Sequence, residues 1–294
     1  MNQKQFVHWV GIKVLSIGEK IFQHSSIERA EKIGQRLTEL LYKLDKKHRT
    51  RTQANIALAL PQLSLKEQQT MVEENYKHLG CVLADFLRTP IRTDEEVISS
   101  TEVIGREHLD RLVSEQKGIL LVSAHLGNWE RITQWFPLIG VKTSGVARDS
   151  NDSEITEKVS SIRSGRGMEI LSRGNAAREI LKRLKAGEMV AILPDQNADD
   201  AFIPFFGHIA GTVLGPAVIH RKTKAPILPA CCLRTGPGTF KIHLLEPMTL
   251  NEGETNEEFM TRINHSIEEM IRLAPEQYLW MHDRWKNARK KGLL

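Results

Sequence analysis

Three cysteines are all that this 294-residue chain carries, and two of them are adjacent. Cys81, Cys231 and Cys232 offer neither a disulfide framework nor the spacing of a metal site. They read as small buried residues of a protein that folds in a reducing compartment, the cytoplasm. Runs of roughly 20 apolar residues, the length that spans a bilayer, are also missing. Residues 202–220 carry no charged side chain except histidines, but Pro204, Pro216 and three glycines mark them as a buried loop and helix. Residues 6–17 are apolar yet interrupted by Lys13, and no small-residue cleavage site follows, so they do not read as a secretory leader. GxSxG is absent, which argues against a serine hydrolase. HExxH is absent and no other ligand cluster stands out, so no metal is expected. No basic motif interleaved with aromatics occurs, so nucleic acid is not an expected partner.

What is present is an ordinary globular composition with a basic balance. Lys and Arg number 41 against 36 Asp and Glu, a net charge of +5. That excess favours acidic partners without choosing among them. Residues 6–17 fit an amphipathic helix lying in a membrane interface, with Trp9 at headgroup depth and Lys13 and Lys20 near phosphates. They fit an ordinary packing helix equally well.

Residues 1–92 read as a helical region. Ile27, Ile33, Leu37, Leu40, Leu41 and Leu44 make one helical stripe, and Val72, Tyr76, Leu79, Val82, Leu83 and Phe86 another. Between them a basic stretch, residues 43–51, runs into an apolar helix ending near Pro61. From about Val97 short apolar runs alternate with amphipathic segments. Strands are expected at 118–124, 168–171, 189–193, 225–233 and 240–245. Helices are expected at 128–139, 176–185, 212–222 and 257–273. This alternation predicts an α/β fold, a largely parallel central sheet with flanking helices, over 93–294. The N-terminal helical subdomain would pack beside it in one compact unit.

Reactive groups collect at the carboxyl ends of strands in such a sheet. His125 stands where an apolar run ends, in SAHLGNWE. Gly127 permits a sharp turn, Asn128 suits a helix N-cap, and Glu130 falls in the first helical turn. Across that corner a carboxylate can bond one imidazole nitrogen while the other accepts a proton from an alcohol. Residue types and spacing alone do not lift the pair above a helix-capping histidine with a surface glutamate.

Five ordered blocks go further. SAHLGNWE resembles the active-site block of the bacterial lipid A late acyltransferases, the lauroyl/myristoyl transferase family within the lysophospholipid acyltransferases. Those carry a His, four residues, then Asp or Glu. RTQANIALALPQLSLKEQ, with Asn55, looks like the family's upstream basic segment. LKAGEMVAILPDQN, ending in Asp195-Gln196, is similar to its downstream strand. FIPFFGHIAGTVLGPAVIHRKTKAPILP and APEQYLWMHDRWKN resemble its later blocks, so the resemblance covers most of the chain.

The resemblance implies a role for each matching position. His125 would be the general base on a glycolipid hydroxyl, and Glu130 would orient and charge-balance it. The donor would be acyl-acyl carrier protein, with no cofactor. Arg163, or Arg166, would face the developing oxyanion, and Asn128 would lie near substrate. Asp195 would hold that arginine or a sugar hydroxyl, or simply cap a loop. Phe205, Phe206 and Ile209 would wall an acyl chain, or pack in the core. Trp280, Arg284, Trp285 and Lys286 suit a membrane interface. The family's stronger N-terminal anchor is shortened here, which implies peripheral attachment to the cytoplasmic face of the inner membrane.

The activity so implied is fatty acyl transfer to a lipid A precursor hydroxyl. Two alternatives stand beside it. One is acylation of another glycolipid, a phosphatidylinositol mannoside or glycosyl diglyceride. The other is a non-catalytic protein that binds anionic membrane through residues 43–51 and the basic run Arg289, Lys290, Lys291.

Overall fold

A computed structural model describes residues 16–147, 153–172 and 176–294. Trp9 and Lys13 lie outside the described residues, and with them residues 6–15 of the expected interfacial helix. After a short helix over 16–23, three long helices follow: α1 (Ile27–Leu44), α2 (Lys46–Ala59) and α3 (Leu65–Arg88). Their starts follow from capping chemistry. Ser26 and Asp45 accept from backbone amides of α1 and α2, and Ser64 with Glu67 forms a capping box on α3. Gly34 and Gly80 let α1 and α3 touch, since a Cβ at Gly34 would stand 2.1 Å from the Gly80 carbonyl oxygen.

Beyond α4 (Asp94–Ser99) the chain builds a seven-stranded sheet, ordered β1-β9-β8-β2-β5-β3-β4. The strands are β1 (Thr101–Ile104), β2 (Ile119–Val122), β3 (Thr143–Ala147), β4 (Glu169–Ser172), β5 (Met189–Ile192), β8 (Ile227–Gly236) and β9 (Thr239–Leu244). Neighbours run parallel except β8 and β9. The helices between them are α5 (Arg106–Ser114), α6 (Trp129–Leu138), α7 (Ser153–Ser164), α8 (Ala176–Lys185), α9 (Gly215–Thr223), α10 (Asn256–Leu273) and α11 (Lys286–Lys290). The expected class, a mostly parallel sheet with flanking helices and N-terminal helices, is the class observed.

The continuous apolar runs arise because both sheet faces are covered. Leu120, Val122, Val190 and Ile227 pack with Phe259, Ile263 and Ile267 of α10, and with Ile56 and Tyr76 from α2 and α3. Their alternates Leu121, Met189, Ala191 and Leu228 pack with Leu109 and Leu112 of α5 and with Ile132, Trp135 and Phe136 of α6.

One expected loop is a hairpin instead. β6 (Ala201–Phe205) and β7 (His208–Thr212) pair antiparallel through Phe206-Gly207, both at positive φ. Two consecutive positive-φ residues match the twist of a two-residue hairpin, and Gly207 makes the turn accessible.

Candidate active site

The site forms where β2 and β5 end side by side. Their register pairs Val122 with Ile192, so His125 and Asp195 both lie three residues beyond a matched pair. His125 Nδ1 is 2.9 Å from Asp195 Oδ1, and the His125 backbone amide donates to Oδ2 at 3.0 Å. Since the carboxylate only accepts, Nδ1 carries the proton and Nε2 is left with its lone pair. Nε2 lies 3.5 Å from Gln196 Nε2, at the cavity wall.

Burial disfavours the imidazolium, but the charge and hydrogen bond of Asp195, helped by the Glu130 charge, outweigh it. His125 therefore titrates above the ordinary histidine value of 6.5. Burial would raise Asp195, yet the His125 charge and the two hydrogen bonds hold it below the usual aspartate value.

The corner after β2 needs its glycine. Gly127 has φ of 59°, and a Cβ there would meet the Cys232 carbonyl oxygen at 2.0 Å. α6 then begins at Asn128, whose Oδ1 accepts from Arg131 N at 3.1 Å. Glu130 points back toward the cavity that His125 lines. Its carboxylate accepts from Arg163 Nε at 2.8 Å, from Arg163 Nη2 at 2.5 Å and from Trp129 Nε1 at 3.1 Å. Burial works against the Arg163 cation, but its hydrogen bonds and charge contact with Glu130 raise its pKa. Its third nitrogen, Nη1, has no hydrogen-bond partner among the described residues.

Several expected placements are corrected by this geometry. Among the described residues no hydrogen bond joins Glu130 to His125; the carboxylate bonded to His125 is Asp195, which reaches it across two parallel strand ends. Asp195 does not hold Arg163 either. It is 2% exposed, too deep to meet a sugar hydroxyl directly. Asn128 is 1% exposed, with Nδ2 donating to Asp85 at 2.6 Å, so both ends of its amide serve the fold. Arg166 turns away, donating to Asp94 at 3.0 Å and to the Thr89 carbonyl at 3.1 Å.

The cavity beside His125, about 330 Å³, is lined by Leu121, Ile132, Val146, Met168, Ile170 and Leu193. Phe205, Phe206 and Ile209 do not line it. Phe205 and Phe206 are buried against Trp285 and Trp280, and Ile209 sits half-buried on β7. Nor do Trp280, Arg284 and Trp285 face a membrane, for each is at most 1% exposed. Arg284 lies 4.8 Å over the Phe205 ring and donates to Thr212 at 2.7 Å.

The C-terminal segment braces the corner after β2 instead. Leu279 N donates to the His125 carbonyl at 2.9 Å, and Gly127 N to the Gln277 carbonyl at 3.0 Å. Tyr278 OH donates to the Asp195 carbonyl at 3.5 Å. Asn55 in turn donates to the carbonyls of Trp280 and His282, each at 2.8 Å. Asn75 does the same for Glu276 and Tyr278, at 2.8 and 2.6 Å. Residue-by-residue reading missed these bracing roles; no spacing rule joins positions 55 and 280.

A sequence profile described as "Bacterial lipid A biosynthesis acyltransferase" matches residues 2–287. The chain belongs to that family. It is 28% identical to the Lipid A biosynthesis lauroyltransferase of Escherichia coli (strain K12), over the whole chain and 95% of that protein. It is 26% identical to the palmitoleoyltransferase of the same organism, over 86% of the chain and 84% of that protein. A Phosphatidylinositol mannoside acyltransferase of Mycobacterium tuberculosis is 26% identical over 46% of the chain and 44% of its own length. Family membership identifies the protein as an acyltransferase of lipid A biosynthesis, and its central sheet carries the expected His–Glu block at a strand-to-helix corner.

Proposed function

We propose that this protein transfers a fatty acyl group from acyl-acyl carrier protein to a hydroxyl of a lipid A precursor, with His125 as general base. The observation that carries the reading is the His125–Asp195 pair, whose imidazole lines a cavity with an aliphatic wall. His125 Nε2 takes the proton of the acceptor hydroxyl as its oxygen attacks the thioester carbonyl. Asp195 holds the imidazole tautomer and balances the imidazolium. The tetrahedral oxyanion forms beside Arg163, whose Nη1 is available to donate, and Glu130 holds that guanidinium in place. Collapse breaks the carbon–sulfur bond, and the imidazolium returns its proton to the thiolate. Ester and thiol are the products, with no cofactor consumed.

The acyl chain would occupy the cavity of Leu121, Ile132, Val146, Met168, Ile170 and Leu193. Attachment would be peripheral, at the cytoplasmic face of the inner membrane. No helix among the described residues is long and apolar enough to cross a membrane. α1 does leave Leu37, Leu40, Leu41 and Leu44 exposed beside Lys43, Lys46 and Lys47, a combination suited to an anionic lipid surface.

The test incubates purified protein with acyl-acyl carrier protein and Kdo-modified lipid A precursor, reading products by mass spectrometry. A gain of one acyl mass is expected, and no gain would sink the reading. Transfer to a phosphatidylinositol mannoside alone would move the acceptor to the class named for the mycobacterial relative.

A further inference from the structure

A second cavity, about 620 Å³, adjoins the first and shares Leu193 and Gln196 with it. The shared wall is the segment that carries Asp195, so the two cavities open on either side of Gln196, beside His125. Their chemistry differs. The first sets an aliphatic wall beside the Glu130–Arg163 pair, whose charges offset each other, whereas the second is lined by Arg51, Asn197, His282, Asp283 and Lys286. Its charge is unbalanced toward positive. Asp283 is already paired closely with Arg289, and Arg51 reaches it only at 3.6 Å. The other contact of Arg51, to the Met281 carbonyl, is 3.5 Å long. The Lys286 ammonium has no ion-pair or hydrogen-bond partner among the described residues, its backbone amide alone donating, to the Asp283 carbonyl at 3.2 Å. His282 is lowered by burial and accepts from the Asn197 amide at 3.0 Å, so it is a neutral part of the wall.

We infer that this second cavity is the acceptor headgroup subsite, and that Arg51 and Lys286 close on a phosphate group carried by the acceptor sugar. A guanidinium and an ammonium from separate helices, α2 and α11, give a two-sided grip that a neutral sugar would not need. The arrangement places the anionic end of the acceptor beyond Gln196 and brings its hydroxyl to His125 Nε2. The acyl thioester then approaches from the aliphatic side, and the two substrates meet without competing for one pocket.

The inference rests on the acyltransferase reading, so binding and turnover are measured separately. In uncharged detergent micelles, wild type and Arg51→Gln/Lys286→Gln are titrated with a disaccharide lipid carrying one sugar phosphate, and with its dephosphorylated counterpart. Losing two charge-assisted contacts is expected to weaken binding of the phosphorylated lipid about 10- to 100-fold and the other less than about twofold. Arg51→Lys should recover part of the loss. Lys117→Gln, which removes an exposed cation far along the sequence at the other end of β2, should bind as wild type does. Equal weakening for both lipids, or none for either, overturns the subsite. Failure of wild type to transfer an acyl group while it still discriminates the phosphate would sink the acyltransferase reading alone.

Discussion

His125 and Asp195 are joined twice, through the imidazole at 2.9 Å and through the backbone amide at 3.0 Å, across the ends of two neighbouring parallel strands. The double contact orients both partners, so the carboxylate cannot swing away without also leaving a buried amide unpaired. Asp195→Asn keeps the shape but offers Nδ1 no charged acceptor. Transfer is expected to fall by roughly 10³- to 10⁴-fold, in kcat more than in KM, measured by steady-state kinetics. A loss of less than about tenfold would assign Asp195 a structural role only.

The same contact sets the pH dependence. A general base must be neutral, so kcat/KM should rise with pH through the folded His125 pKa, which lies above 6.5. Asp195→Asn removes the main raising influence, and the residual activity should show its acidic limb at lower pH. For stability the sign is opposite: the raised pKa stabilises the fold below the unfolded histidine value, and that share is lost as pH rises through the folded one. A limb that stays in place in Asp195→Asn would mean another group titrates.

Arg163 and Glu130 form one unit, bonded through two nitrogens and lining one cavity. Arg163→Met leaves a carboxylate whose side chain is 8% exposed without its cation, costing about 2 kcal/mol by thermal unfolding. Activity should fall for either single variant, and the double variant should be little worse than the worse single. Additive losses in such a cycle would mean that each side chain acts separately.

Chain-length choice should follow the His125 cavity. A Cβ at Gly145 would stand 2.0 Å from the Met168 methyl, at the cavity wall. Gly145→Ala therefore pushes Met168 into the space, and each methylene excluded from contact costs about 0.8 kcal/mol. A panel of acyl thioesters should shift toward shorter chains. Phe205→Leu, in the core against Trp285, should lower the melting temperature and leave that preference alone.

Much of the fold was legible because the sheet is covered on both faces. β2 and β5 are continuous aliphatic runs, and their expected positions, 118–124 and 189–193, contain the observed strands. Helix α8 spans Ala176–Lys185, the bounds its amphipathic pattern predicts. The β6–β7 hairpin was not legible, since a proline and two phenylalanines obscure its alternation. The Asp195 contact was half legible: both residues follow apolar runs in the sequence, but only the pairing of Val122 with Ile192 places those ends together. The misplacement of Trp280, Arg284 and Trp285 has a similar cause. Aromatic and cationic residues look alike in sequence whether they face headgroups or, as here, pack on Phe205 and Phe206 of the β6–β7 hairpin. Which end of an arginine meets a carbonyl is a tertiary fact.

The central claim is that His125 removes the proton from the acceptor hydroxyl. Single-turnover transfer from acyl-acyl carrier protein to the lipid A precursor by His125→Ala, beside wild type, tests it most directly. The account predicts a loss of at least about 10³-fold in the rate of ester formation, with the fold intact by circular dichroism. Transfer at the wild-type rate by His125→Ala would contradict it.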